Sequence, residues 1–312
     1  MRATQTTTYR SLQSFLDRTT DKLATLQLAA ATGKRLNRPS DDPTAISPVL
    51  SARTQIQTSD RYIETIETGL DRVDNMDGYL DTVENTLVRI KEISIAAGNG
   101  VLNAEDRLTY ADEVAQLRSS LLDNANAQID GKYLFAGFSE KTKPFTATNP
   151  ALPISSTNPV VYNGDNGTVQ YEISPNELID INLTGNGFML GDSDNNGATD
   201  AGAVDIFSMI TTIEEALRIN DSAAVIAELT DLEAGANQVR RARSSKGNLG
   251  RRLEIARDHM EQIKIDMEEF RSRYEDADIL ETITSMEQQQ QSFQAALNVT
   301  GKVSELSILD YI

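Results

Sequence analysis

The chain contains no cysteine. Structural disulfides, thiolate zinc sites and cysteine nucleophiles are therefore excluded. It has a single histidine, His259, which sits on a charged stretch with no serine nucleophile arrangement around it. A catalytic histidine needs a reacting group and an orienting partner, so nothing in the sequence points to an enzyme. Positive charge is also scarce: 29 Lys and Arg stand against 47 Asp and Glu, a net charge of -18. A nucleic-acid binder normally shows a basic face, and an anionic membrane surface recruits basic segments; neither partner is expected. No apolar run approaches the roughly 20 residues needed to span a bilayer. The N-terminus, "MRATQTTTYR", lacks the apolar core of a cleaved secretory signal.

What is abundant is helical periodicity. Leu12, Leu16, Thr19, Leu23, Leu26 and Ala30 step by threes and fours, a coiled-coil seam with one polar member. A longer pattern runs through Ile63, Ile66, Leu70, Val73, Met76, Leu80, Val83, Leu87 and Ile90. It predicts one helix over about 44–97, on the order of 80 Å long at 1.5 Å per residue, ended by "AAGNG". A further helix is expected over about 104–129. From Ala256 through Met260, Ile263, Met267, Phe270 and Tyr274 to Ala277 the spacing is again helical. After "YEDADIL" a new seam starts: Ile279, Ile283, Met286, Gln290, Phe293 and Leu297.

The middle of the chain differs. Between Arg118 and Arg218 there is no arginine, and Asn, Gly, Thr and Pro dominate. Short β-type runs, "PVVYNG", "TVQYEI" and "LIDINLTG", are separated by turn signals. The expected fold is mainly α: an elongated helical hairpin or coiled-coil bundle with paired N- and C-terminal helices and a small inserted β-rich domain. Its expected parts are a terminal helical region (1–42 with 279–312), a long-helix bundle (43–137 with 206–278) and the β-rich insertion (138–205).

"TGKRLNRPSDDPTAIS", residues 32–47, interrupts the first helical region. Gly33 can close the first helix in the left-handed conformation. Pro39 favours extended backbone before it. Asp42 suits an N-cap, Pro43 the first helical position, and Asp41 the positive end of the new helix. A capped turn leaves Lys34, Arg35 and Arg38 unexplained; they are candidates for bridging to the acidic pair or to neighbouring subunits.

This stretch resembles the segment of the flagellin family that joins the first helix to the first long one. "SRYEDADILETITSMEQQQQSFQAAL" is similar to the family's C-terminal region, and the two lie at the correct opposite ends. "RPSDDP", "DGKYLFAGF" at 130–138 and the ending "LSILDYI" resemble the branch that forms the junction between hook and filament. The resemblance implies a structural flagellar protein without cofactors. Its implied partners are hook-associated protein 1, flagellin, further copies of itself and a flagellar export chaperone. It also implies export through the flagellar channel to the cell exterior without a cleaved signal. Leu12, Leu16, Leu23, Leu26, Ile283, Met286, Phe293 and Leu297 are the expected subunit-interface residues. Because both terminal seams are short and carry polar members, they are expected to order on packing with neighbours. A filament-forming flagellin and a cytoplasmic coiled-coil adaptor are the alternatives.

Two further stretches admit functional readings. "DSDNNGATD" places Asp192, Asp194, Asn196 and Asp200 at calcium-loop positions, but Ala203 stands where a bidentate Glu belongs. An Asx-rich turn is the simpler reading. "QVRRARSSKGNLGRR", 238–252, is the one basic cluster, read as a packing or protein-contact face rather than a nucleic-acid site.

Overall fold

The computed structural model describes residues 2–99 and 102–309. Among the described residues seven α-helices dominate: α1 (Arg2–Thr32), α2 (Pro43–Gly98), α3 (Ala104–Ala125), α4 (Ile206–Arg218), α5 (Ser222–Ala227), α6 (Leu229–Glu275) and α7 (Ile279–Leu309). The expected helix at 44–97 is therefore present within a residue at each end. The third ends at Ala125, earlier than expected. Asn126 there turns its side-chain amide onto Leu122 O at 2.8 Å and Phe145 O at 3.0 Å, while its Oδ1 accepts from Phe145 N at 2.9 Å. A tertiary contact has overridden the local helical pattern.

The six strands form three separate antiparallel ribbons rather than one sheet: β1 (Gln128–Ile129) with β2 (Lys132–Tyr133), β3 (Phe145–Ala147) with β4 (Val160–Tyr162), and β5 (Gln170–Ser174) with β6 (Glu177–Asp180). The β5–β6 turn uses Asn176 in the left-handed region, φ 64°, which Asn tolerates better than most side chains.

The chain divides into two compact units, residues 1–60 with 261–312, and residues 61–260. The larger unit holds the main core. Ile66, Val73, Met76, Leu80, Val83, Leu87, Ile90 and Ile93 of α2 are buried almost completely, as are Val114 and Leu121 of α3, Ile210, Ile213 and Leu217 of α4, and Val239 and Leu253 of α6. On α2 seven of the nine positions that the periodicity marks are in this set, and the other two, Ile63 and Leu70, are half-buried. The β segment shares this core: Phe135, Phe145, Ile173 and Ile181 are buried. The Phe145 ring lies 5.6 Å from that of Phe207 on α4. A Cβ on Gly69 of α2 would stand 3.1 Å from Ile181 Cδ1, so the absent side chain lets the β segment close on the helix.

The basic cluster is largely consumed within this unit. Arg243 pairs with Asp77 at 2.8 Å and Asp81 at 2.6 Å, and Arg240 with Glu84 at 3.2 Å and Glu233 at 3.3 Å. Arginines of α6 thus join acids of α2, a packing role rather than an exposed polycation.

Candidate assembly site

In the smaller unit the interrupting stretch and the turn between α6 and α7 are partners. Gly33, φ 69°, closes α1 by donating its N–H to Ala29 O at 2.9 Å. Arg35 N donates to Glu275 O at 2.8 Å, and Ala277 N donates back to Gly33 O at 2.9 Å. Arg35 Nη2 adds a bond to Tyr274 O at 2.8 Å. The two signature motifs, some 240 residues apart, form a single backbone clasp.

Glu275 lies at its centre, 1 % exposed. Lys34 Nζ pairs with its Oε1, Arg53 Nη2 reaches the same oxygen at 2.7 Å, and Arg271 Nε stands 3.7 Å from Oε2. Burial raises the Glu275 pKa, but hydrogen bonds from Lys34 and Arg53 outweigh it and hold the carboxyl below the ordinary value of 4.5. The opening of α2 is capped as the residue types suggest. Asp42 Oδ1 accepts from Thr44 Oγ1 at 2.6 Å, Thr44 N at 3.1 Å and Ala45 N at 3.2 Å. The Thr44 hydroxyl bond leads the lowering of the Asp42 pKa. Asp41 Oδ2 accepts from the backbone N–H groups of Asn37 at 3.0 Å and Arg38 at 2.7 Å, fixing the turn that Pro39 follows. Pro43 is the first residue of α2.

Of the three cations in the stretch, Lys34 goes to Glu275 and Arg35 to Tyr274 O and, at 3.5 Å, Asp42. The Arg38 side chain is exposed and makes no ion pair among the described residues. Glu275, Arg53 and the buried Leu36 were not singled out from the sequence. The signal available was the acid step "YEDAD", whose charge matches the basic "GKR" across the chain. The cluster of Leu36 with Ala45 and Val49 fixes the turn from below.

Helices α1 and α7 lie against one another. On α1, Thr19 and Ala29 are buried, and Leu12, Leu16, Leu23 and Leu26 are half-buried. This is the seam that the spacing marks, and it faces α7. On α7 the covered line runs through Thr282, Gln289, Phe293, Ala296 and Thr300, with Met286 at its margin. Gln289 Nε2 donates to Thr19 O at 3.4 Å. The covered line is thus rotated from the apolar seam read from the sequence: Met286 and Phe293 are shared, but Ile283 and Leu297 are 40 % and 48 % exposed. On α7 the fully buried residues, Thr282 and Ala296, are small, while Ile283 and Leu297 stay outside. Ile279, Leu280 and Val299 of α7 and Phe15 of α1 are likewise exposed.

Two other regions bear on function. Asp192, Asp194 and Asp200 bring carboxylate oxygens within 4.8 Å of one another. Asp192 accepts from Gly197 N at 2.8 Å and Asn196 N at 3.1 Å, and Asp200 from Ser193 N at 2.9 Å. These bonds are those of an Asx-rich turn. His259 is on α6, and among the described residues no helix is long and apolar enough to cross a membrane.

Comparison with known proteins matches this arrangement end by end. Residues 4–140 match the bacterial flagellin N-terminal helical region, and residues 229–312 the bacterial flagellin C-terminal helical region. The chain is 33 % identical over 118 residues to flagellar hook-associated protein 3 of Escherichia coli, covering 37 % of each chain. It is 29 % identical over 120 residues to the flagellar filament 33 kDa core protein of Treponema phagedenis, covering 38 % of this chain and 42 % of that one. The matched stretches thus span little more than a third of the length of these curated relatives. The crystal structure of the flagellar junction protein from Legionella pneumophila superposes with a TM-score of 0.59 at 17 % identity, covering 75 % of this chain and all of that one; at that identity the likeness is one of fold. With both terminal regions matched in order, and their two signature motifs clasped together, the chain belongs to the flagellin family.

Proposed function

We propose that this chain is a structural protein of the bacterial flagellum that forms the junction between hook and filament. The observation that carries this reading is the exposed apolar side of α7, with Ile279, Leu280, Ile283 and Leu297 outside a helix pair that already has its intramolecular partner. Apolar side chains in that position suit burial against neighbouring subunits. Leu12, Leu16, Leu23, Leu26, Met286 and Phe293 are the complementary half-buried set, re-sorted when neighbours arrive. Arg38, which makes no ion pair among the described residues, and the rest of the clasp (Gly33, Lys34, Arg35, Pro39, Asp41, Asp42 and Pro43) set the angle at which the terminal helices are offered.

The proposed partners are further copies of the chain, hook-associated protein 1 on one side and flagellin on the other, with an export chaperone before assembly. The proposed location is outside the cell, after export through the flagellar channel, and no catalytic role is assigned. The α1–α7 contact leaves its larger apolar side chains, Leu12, Leu16, Leu23, Leu26, Met286 and Phe293, only half-buried. We therefore propose that its full order comes on assembly, which restrains premature polymerisation.

The likeness to a filament core protein favours a second reading, a filament subunit. The test uses isolated hooks bearing only hook-associated protein 1. Purified chain is added, then flagellin, and filament growth is scored by electron microscopy. Growth only when the chain precedes flagellin is the expected result. Long filaments of the chain alone would establish the second reading instead, and absence of binding would overturn both.

A further inference from the structure

The larger unit contains a polar cleft that assembly does not explain. It lies between the β5–β6 ribbon and α6 and has a volume of about 630 Å³, within the usual range of roughly 300–1,000 Å³ for small-molecule sites. Its floor includes Lys246, only 7 % exposed. A buried ammonium is normally paired, because desolvating the charge is costly. Lys246 has no such partner among the described residues: Nζ donates to Asn182 O at 2.6 Å, leaving two of its three donors unused. Asp180 exerts an attraction from beyond ion-pairing distance, and its Oδ1 already accepts from Gln170 Nε2 at 2.8 Å. Burial drives the Lys246 pKa below the usual lysine range, against the pull of Asp180 and with the repulsion of Arg72. The ammonium is under-compensated where it stands.

The rest of the lining says what would compensate it. Arg252, half-exposed and held by Glu177 at 2.6 Å, is a second cation of the cleft. Thr168 and Ser245 also line it, and neither hydroxyl makes a hydrogen bond among the described residues. Gln170 and Ser193 add further exposed polar groups. No aromatic side chain lines the cleft. Leu178, Ile179, Leu183, Leu249 and the Asp180 carboxylate are also part of the lining; its hydroxyl and amide groups, with Lys246 and Arg252, are the groups that would meet a polar ligand.

We propose that this cleft binds a polyhydroxylated carboxylate, an acidic sugar of the uronic acid type, with its carboxylate on Lys246 and its hydroxyls on Thr168, Gln170, Ser193 and Ser245. The sugar is either free or a residue of an acidic polysaccharide. The inference is independent of the junction assignment and holds for a filament subunit equally.

The test is titration of the full-length chain with glucuronate, with polygalacturonate and with the uncharged methyl glucoside, followed by calorimetry and by amide chemical shifts. Saturable binding of glucuronate, of the polymer or of both is expected, with the neutral glycoside weaker by about tenfold or more, the scale of a charge-assisted contact. Glucuronate binding marks the free sugar as sufficient, and binding of the polymer alone marks the polysaccharide as the source. Lys246→Met, which keeps the length of the side chain and removes its charge, is expected to lose about tenfold in affinity. Arg252→Ser, at an exposed position that cannot threaten the core, is expected to lose less. If neither acid binds, if the neutral glycoside binds as well as glucuronate, or if both variants bind like the parent chain, the proposal is overturned.

Discussion

Glu275 is the residue on which the clasp turns, and its environment makes the two sides of its ion pairs unequal. The carboxylate is buried, whereas the side chains of Lys34 and Arg53 are each 45 % exposed. Removing the carboxylate leaves three partly exposed cations, Lys34, Arg53 and Arg271, that water can reach, so Glu275→Gln is expected to cost only about 1 kcal/mol. Replacing both Lys34 and Arg53 with Met leaves the buried carboxylate only Arg271, 3.7 Å away, and is expected to cost about 3 kcal/mol. Denaturant unfolding of the two variants checks the order; a costlier Glu275→Gln would contradict it. The pH dependence has a definite sign. Because the folded-state pKa of Glu275 lies below its ordinary value of 4.5, its contribution is fully present above that value and is lost as pH falls through the folded pKa. Glu275→Gln should flatten that acid limb of the stability profile. The capping roles of Gly33, Asp42 and Pro43 were legible because each is a local backbone requirement carried by residue type. The partner of Lys34 was not, since no periodicity relates position 34 to position 275.

At the scale of elements, the long helices were readable because burial follows the three-and-four spacing with few exceptions along α2. Leu80→Ala there is expected to cost about 2–5 kcal/mol in thermal unfolding, as expected for a fully buried leucine. On α7 the apolar seam and the covered line differ for a physical reason. Spacing identifies an apolar stripe but not what covers it, and here Thr282, Gln289 and Ala296 take the intramolecular side while Ile283 and Leu297 remain outside. Ala296→Glu, which places a charge between the helices, should therefore weaken the α1–α7 pair, read as faster hydrogen exchange in both. Ile283→Ser and Leu297→Ser should leave the stability of the free chain within about 0.5 kcal/mol. The boundary of α3 and the division of the β segment into three ribbons were not readable, because bonds such as Asn126 to Phe145 O join segments with no local relation.

For the whole molecule, the sequence order of helical ends around a β-containing middle marked the fold class, and the family follows from both ends together. Neither identifies the surface that assembles. The surface we propose is the set of apolar side chains of α7 that the intramolecular pairing leaves exposed. Its most direct test is the hook assay with the double variant Ile283→Ser, Leu297→Ser, after its thermal unfolding has been matched to that of the parent chain. The variant, although folded, is expected no longer to enable flagellin to grow from hooks bearing hook-associated protein 1. Filament growth equal to that given by the parent chain would contradict the proposal.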